Sequence, residues 1–194
     1  MQPKLYAALA IALGLFVTSV PAEDPASMSA QLVSVPVLNA DKELQLPADL
    51  DRWIHLGTML GPQYADESFD ARGPNLFHAA LMEPTAYQAF LDTGEFADGT
   101  MFALRFYNAL SELSIQKSGF VMGDLTLTEI HLKDSKRFPD GFNFYVFPPG
   151  TESATALPLP NDCVRCHTEH GAYDSVFAQF YPALRDKIPS SGHD

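Results

Sequence analysis

The sequence has few cysteines, few basic residues and few long apolar runs. Its 194 residues include 2 cysteines, and 12 lysines and arginines stand against 24 aspartates and glutamates, for a net charge of −12. This acidic excess argues against nucleic acid and anionic membrane surfaces as partners, while it is compatible with a basic redox partner protein. Beyond the N-terminal region, no apolar run reaches the roughly 20 residues that a membrane helix needs. We therefore expect no membrane association after export.

The longest apolar run lies at the N-terminus and is typical of an export signal. Lys4 supplies a positive start, Leu5 to Val20 is apolar, and small residues allow cleavage after Ala22. We predict a signal peptide over residues 1–22 and a mature protein in the periplasm. An uncleaved membrane anchor is the alternative.

The pattern of apolar residues predicts an α+β fold with a mostly antiparallel sheet and flanking helices. Residues 23–50 are rich in Pro, Ala and Ser and predict an irregular N-terminal arm, followed by one domain over 51–194. Pro84 and Gly94 delimit a short helix. The C-terminal part predicts a helical segment around the cysteines and helical spacing from Val176 to Leu184. Strands are predicted within 51–60, 76–82, 99–113, 119–135 and 140–150.

Both cysteines belong to one short motif, Cys163-Val164-Arg165-Cys166-His167. C-x-x-C-H is the attachment signature of haem c, in which two thiols add across the haem vinyl groups and the adjacent histidine reaches the iron. The motif predicts one covalent haem c. Cys163 and Cys166 would form the thioether links, and His167 would be the proximal iron ligand.

Two other chemistries use closely spaced cysteines. Zinc could take Cys163, Cys166, His167 and His170, but structural zinc sites usually draw two ligand pairs from separate parts of a chain. A thioredoxin-like dithiol needs its C-x-x-C within a βαβ unit, which the predicted strands do not supply. Haem is the favoured interpretation, and zinc and the dithiol are kept as alternatives.

No methionine follows His167, so a sixth iron ligand would have to come from upstream. Upstream methionines and histidines, including His78 and His131, are more often packing residues than ligands. The upstream strands instead supply bulky apolar side chains. We expect these to cover the open side of the haem, which predicts five-coordinate iron that binds NO or CO and holds O₂ poorly. The candidates are Phe77, Phe102, Leu104, Phe106 and Phe120.

Four blocks of sequence resemble the cytochrome P-460 family, which includes cytochrome c′-beta. They read RWIHLGTML, MEPTAYQAFLDTGEFADGTMFALRFY, GFVMGDLTLTEIHLKDSKRFPDGFNFYVF and CVRCHTEHGAYDSVFAQFYPALR. The resemblance implies an antiparallel β fold with flanking helices, usually a homodimer, and one five-coordinate haem. It also implies two activities. P-460 enzymes oxidise hydroxylamine with a lysine cross-linked to the haem, whereas c′-beta members lack the cross-link and bind NO or CO in an apolar pocket.

One position separates these branches. The enzymes read roughly GTVTVKEL where this chain reads GTMFALRF, so Leu104 replaces the lysine and has no amine to form a cross-link. Arg105 should point to the opposite strand face, and Lys117 is expected in a solvated turn. His78 takes the place of an enzyme arginine. It is either a distal hydrogen-bond donor or an ordinary buried or edge histidine.

These observations predict a periplasmic mono-haem cytochrome that binds NO or CO in an apolar distal pocket. An oxidoreductase acting on hydroxylamine or NO is the first alternative. An electron carrier with two axial ligands is the second, and the missing downstream methionine disfavours it.

Overall fold

The computed structural model describes residues 36–40, 42–62 and 76–188. The predicted signal peptide, the first part of the arm and residues 63–75 lie outside the described residues. Those that are described belong to one compact unit. In this part of the chain, no helix has the length and apolar character required to cross a membrane.

Five antiparallel strands form the main sheet, and they neighbour one another in chain order. Each strand pairs with the next one in the sequence, so the sheet is an antiparallel meander. Strand β1 is separate from this sheet and pairs with β7 near the C-terminal part. The main-sheet strands are β2 (Ile54–Leu60), β3 (Leu76–Met82), β4 (Met101–Leu110), β5 (Val121–Lys133) and β6 (Phe142–Phe147), and the small sheet joins β1 (Leu44–Gln45) to β7 (Ser153–Ala154).

The strands of the main sheet confirm the predicted antiparallel α+β fold. A 3₁₀ helix at Leu50–Arg52 leads into β2. The arm, expected to be irregular, adds the short strand β1 and buries Leu44 and Leu50 in the core. Apolar burial of these two side chains joins the second half of the arm to the domain.

Helix α1 (Pro84–Thr93) confirms the helix predicted from Pro84 and Gly94. Pro84 lies in the first turn, and Gly94 adopts the left-handed conformation that ends many helices, with φ 76°. Glu83 is the N-cap, because its carboxylate accepts hydrogen bonds from the backbone N–H groups of Thr85 and Ala86 at 3.0 and 2.7 Å. The N-cap, the proline in the first turn and the C-terminal glycine therefore determine where the helix begins and ends.

The C-terminal part differs from the predicted run of helical spacing. Helix α2 (Asp162–His170) contains the cysteine motif, but the segment after it is divided into a tight turn, a 3₁₀ helix at Ala178–Phe180 and the short helix α3 (Pro182–Arg185). Pro182 has no N–H to donate and fits the first turn of a helix, so it starts α3 instead of lying inside a longer one. The prediction of one helical stretch through Pro182 is wrong.

Both faces of the sheet are covered, each by a different apolar cluster. Met101 and Ala103 of β4 pack into a core with β1 and the 3₁₀ helix at Leu50–Arg52. Phe102 and Leu104 pack on the other face with the segment that follows α2, residues 173–188, which we call the C-terminal segment. Successive side chains of β4 therefore alternate between the two faces of the sheet. The second face carries the cavity described below.

Candidate functional site

Helix α2 is held at its first turn by two asparagines. The side chain of Asn161 accepts a hydrogen bond from the Val164 N–H at 2.9 Å, which is a typical N-cap. Asn161 also donates to the side chain of Asn143, a buried residue of β6, at 3.2 Å. Val164 packs on Phe142 and Phe144 of the same strand. The start of the helix is thereby tied to the sheet.

The helical spacing brings the three motif side chains to one cavity. Cys163 and His167 are four residues apart and Cys166 is three from Cys163, so these side chains share or adjoin one helix face. All three line a cavity of about 580 Å³ between α2, the sheet and the C-terminal segment. This volume lies within the roughly 300–1,000 Å³ of cavities that hold cofactor-sized molecules.

His167 is oriented as metal-binding histidines are. Its Nδ1 lies 2.8 Å from the Ser175 carbonyl oxygen. Because a carbonyl only accepts, Nδ1 carries the proton and Nε2 keeps a free lone pair. A histidine that binds a metal through one ring nitrogen commonly donates a hydrogen bond from the other to such a carbonyl. The residues present therefore fit an iron ligand at Nε2 of His167.

Aromatic rings and burial keep this imidazole in place and neutral. Phe177, Phe144 and His131 surround it, with ring centroids 4.4, 4.8 and 5.2 Å from that of His167. Burial lowers the pKa of His167, and the hydrogen bond to Ser175 acts in the opposite direction. A neutral imidazole is the form that binds a metal.

The two thiols fit attachment better than the alternative chemistries. They form no disulfide and are half-buried. Burial, followed by the negative charge of Glu129, raises the pKa of Cys163, whereas a reactive dithiol needs a lowered pKa. Among the described residues, no group of three or more His, Cys, Asp or Glu side chains is placed to hold a metal ion. Both findings weaken the dithiol and zinc interpretations, and His170 is exposed and does not line the cavity.

The sheet wall of the cavity contains most, but not all, of the predicted distal side chains. Phe102, Leu104, Phe106 and His78 line the cavity. Phe77 does not, because it precedes His78 in β3 and alternation turns it to the opposite face. Phe120 is also outside the cavity and is 42% exposed just before β5. We therefore remove Phe77 and Phe120 from the set of distal residues.

The cavity also contains titratable groups, so it is not wholly apolar as predicted. His78 is buried with its ring 4.4 Å from that of Phe106, and burial lowers its pKa. Its Nδ1 has no partner among the described residues. Glu129 pairs across the strands with Leu104 and lines the cavity, and burial raises its pKa. Sequence reasoning missed Glu129.

His131, which the sequence offered as an upstream histidine, also lines the cavity. His131 is enclosed by Phe102, Phe142 and Phe144 and by the edge of His167, and its Nε2 has no partner among the described residues. Burial first, and then the neighbouring His167, lowers the pKa of His131 well below its ordinary value. It is a neutral packing neighbour of His167.

Arg105 and Lys117 lie outside the cavity, as strand alternation and the predicted turn indicate. Arg105 points away from the cavity, since it pairs with Asp51 at 2.8 Å and stacks over Tyr107 at 5.4 Å. Lys117 is exposed in the turn between β4 and β5. Neither supplies an amine or a guanidinium group to the cavity wall.

Comparison with known proteins agrees with this site. The family described as Cytochrome P460 matches residues 47–178, which include the main sheet, helix α2 and the cysteine motif. No curated protein matches the chain. With two thirds of the chain matched, and with a cavity that joins the C-x-x-C-H helix to the sheet, the protein belongs to the cytochrome P460 family and is a haem-binding cytochrome.

Proposed function

We propose that this protein carries one covalent haem c with five-coordinate iron and binds NO or CO. The observation that carries the proposal is Leu104, which lines the cavity with Phe102 and Phe106 where the cross-linking branch of the family would have a lysine. A hydrocarbon side chain provides neither an amine for a cross-link nor an iron ligand. The iron would keep a position open toward this wall.

Cys163 and Cys166 would hold the haem from the helix side, and Nε2 of His167 would bind its iron. The three side chains line the same cavity, and the hydrogen bond to Ser175 leaves Nε2 available. When bound, haem supplies an iron whose open position takes up a small diatomic ligand. The chain provides the anchor, the ring orientation and the shape of the open side.

Apolar side chains on the open side favour ligands that need no hydrogen bond. Phe102, Leu104 and Phe106 provide no hydrogen-bond donor to the cavity wall that they form, and a wall without donors holds polarised O₂ poorly compared with NO or CO. His78 packs against Phe106 in the same wall. The sequence predicted it as a candidate hydrogen-bond donor on the distal side. If its ring reaches a bound ligand, it would stabilise O₂ and reduce this discrimination.

Glu129 favours a second candidate function, oxidation of hydroxylamine or conversion of NO. Its carboxyl group lies beside Leu104 with a raised pKa. A carboxylate with a raised pKa is a stronger base than an ordinary one, and it can accept a proton from an N–H or O–H group of a small substrate. The absence of a lysine at position 104 argues against the cross-linked form of this chemistry. An electron carrier is less favoured, since the cavity is lined mainly by apolar side chains.

We place this function in the periplasm, since the N-terminal sequence is typical of an export signal and haem c is attached after export.

One set of absorption spectra tests the function. The reduced protein should show a high-spin ferrous spectrum that changes on addition of CO or NO. A low-spin spectrum that CO does not alter would support the electron carrier. A strongly red-shifted Soret band together with hydroxylamine turnover would support the oxidoreductase.

A further inference from the structure

A strained turn follows helix α2. Asp174 and Ser175 have φ angles of 49° and 58°, and the Val176 N–H donates to the Tyr173 carbonyl at 2.8 Å. Two successive left-handed residues are typical of a two-residue hairpin turn, and such turns usually contain glycine, asparagine or aspartate. Left-handed conformations crowd the Cβ atom of other residues. Asp174 tolerates this conformation, so the strain lies mainly at Ser175, which the local sequence does not favour there.

The strained turn presents its backbone to His167. The Ser175 carbonyl is the one that accepts from Nδ1 of His167, at 2.8 Å. Gly171 allows the approach, because a Cβ atom there would lie 2.6 Å from the Ser175 carbonyl carbon and 2.7 Å from the His167 carbonyl oxygen. The turn thus packs directly on the end of the helix that carries the cysteine motif.

Three contacts hold the turn from outside. The Asp174 carboxylate forms an ion pair with Lys133 at the end of β5, and the two side chains are 42% and 12% exposed. The Tyr173 hydroxyl donates to the carbonyl of Gly94, the C-cap of α1, at 2.8 Å. Gln179 donates to the His170 carbonyl at 3.0 Å and accepts from the Ala172 N–H at 3.2 Å. Strained backbone persists where surrounding contacts over-determine it, which is common at functional sites.

We propose that Lys133 and Asp174 are positioning residues that hold the Ser175 carbonyl on Nδ1 of His167 and so set how strongly His167 binds iron. The inference rests on the proposed role of His167. A hydrogen bond at one ring nitrogen raises the basicity of the other, and this is one of the means by which a protein tunes haem iron. Among the three contacts, the ion pair acts on the strained residues themselves and links them to the main sheet.

The test compares two variants of the ion pair in the haem-loaded protein. Asp174→Asn removes the charge but keeps a residue that tolerates a left-handed conformation, and Lys133→Met removes the other charge. In each variant the iron–histidine stretching band of the reduced protein, measured by resonance Raman spectroscopy, should shift to lower frequency, and the reduction potential should rise. Lys133→Arg should keep the wild-type band. Combining Asp174→Asn with Lys133→Met should add little to either single change, because the two residues act as one pair.

Asp51→Asn is the matched control, because it removes an ion pair with Arg105 on the opposite face of the sheet. It should leave the band unchanged. An unchanged band in both folded ion-pair variants would overturn the proposal. So would loss of folding in both variants while Asp51→Asn folds, because the pair would then serve stability. A wild-type protein without any iron–histidine band would refute the role of His167 itself, and CO binding in the same sample would show whether the gas-binding proposal survives.

Discussion

Replacing Gly171 with alanine should destabilise the protein through a backbone collision behind the cysteine motif. Gly171 has φ −65° and ψ 122°, which alanine adopts without strain, so the cost is steric. The new methyl group would lie 2.6 to 2.8 Å from two atoms of Ser175 and from the His167 carbonyl oxygen, whereas ordinary contacts begin at 3.4 Å. All three neighbours are backbone atoms. We expect a loss of about 1–3 kcal/mol in the free energy of unfolding, the range for inserting a methyl group into a packed site.

Gly123→Ala is the matched control for this change. A methyl group there would lie 2.6 Å from Leu110, which is as close a contact, but the neighbour is a side chain that is 39% exposed and can turn away. Its effect should stay within about 0.5 kcal/mol, as for most surface substitutions. Urea unfolding of both haem-loaded variants, followed by circular dichroism, gives the two free energies. In the reduced Gly171→Ala protein, the iron–histidine band should also shift to lower frequency, because the turn is pushed away from His167.

Equal and small effects of the two substitutions would refute this reasoning, since they would show that the turn yields as easily as an exposed side chain. A destabilised Gly171→Ala protein with an unchanged iron–histidine band would separate the two parts of the argument. The turn would then pack tightly on the helix without controlling the ring of His167.

Three other substitutions test the cavity and its anchor. Leu104→Ala should speed CO binding several-fold in flash photolysis because it opens the cavity wall, and Leu81→Ala on the opposite strand face should not; equal rates would remove Leu104 from the ligand path. Glu129→Gln should increase the free energy of unfolding relative to the wild type, and the difference should grow as the pH rises toward neutral. The raised pKa means that the folded state keeps its proton from about pH 4.5 upward while the unfolded chain loses it, so wild-type stability falls through that window; parallel pH profiles in urea unfolding would contradict this. Asn161→Ala should cost about 0.5–2 kcal/mol in thermal unfolding through loss of the N-cap, and no change would show that the hydrogen bond to Val164 is dispensable.

Much of the fold follows from local patterns. Alternation in β4 correctly divides Phe102, Leu104 and Phe106 from Met101 and Ala103, because successive side chains of a strand must point to opposite faces. Pro84 and Gly94 delimit α1 for equally local reasons. Interactions of this kind depend on a few neighbouring residues, so they can be recognised before the tertiary contacts are known.

The titratable part of the cavity could not be recognised in this way. Glu129 and His131 alternate with Ile130 in β5, and polar residues in such a pattern ordinarily indicate a face exposed to water. Instead, the C-terminal segment packs on this face, where His131 is buried and Glu129 is half-buried. A sheet that is covered on both faces has no side exposed to water, so polar residues on either face would be expected in its interior. Recognising this from the sequence would have required knowing where a segment some 45 residues later in the chain packs.

By itself, the sequence indicated a haem cofactor, which the family match supports, and predicted the residues that would anchor it. The spacing of Cys163, Cys166 and His167 is a property of one helix, so five residues suffice to specify it. The tertiary structure alone decided what surrounds His167 and which side chains line the rest of the cavity. It turned Phe77 away from the cavity, brought Glu129 into it, and imposed a left-handed turn at Ser175 that the local sequence disfavours. These features depend on contacts between distant segments, whose combined energy outweighs local preference.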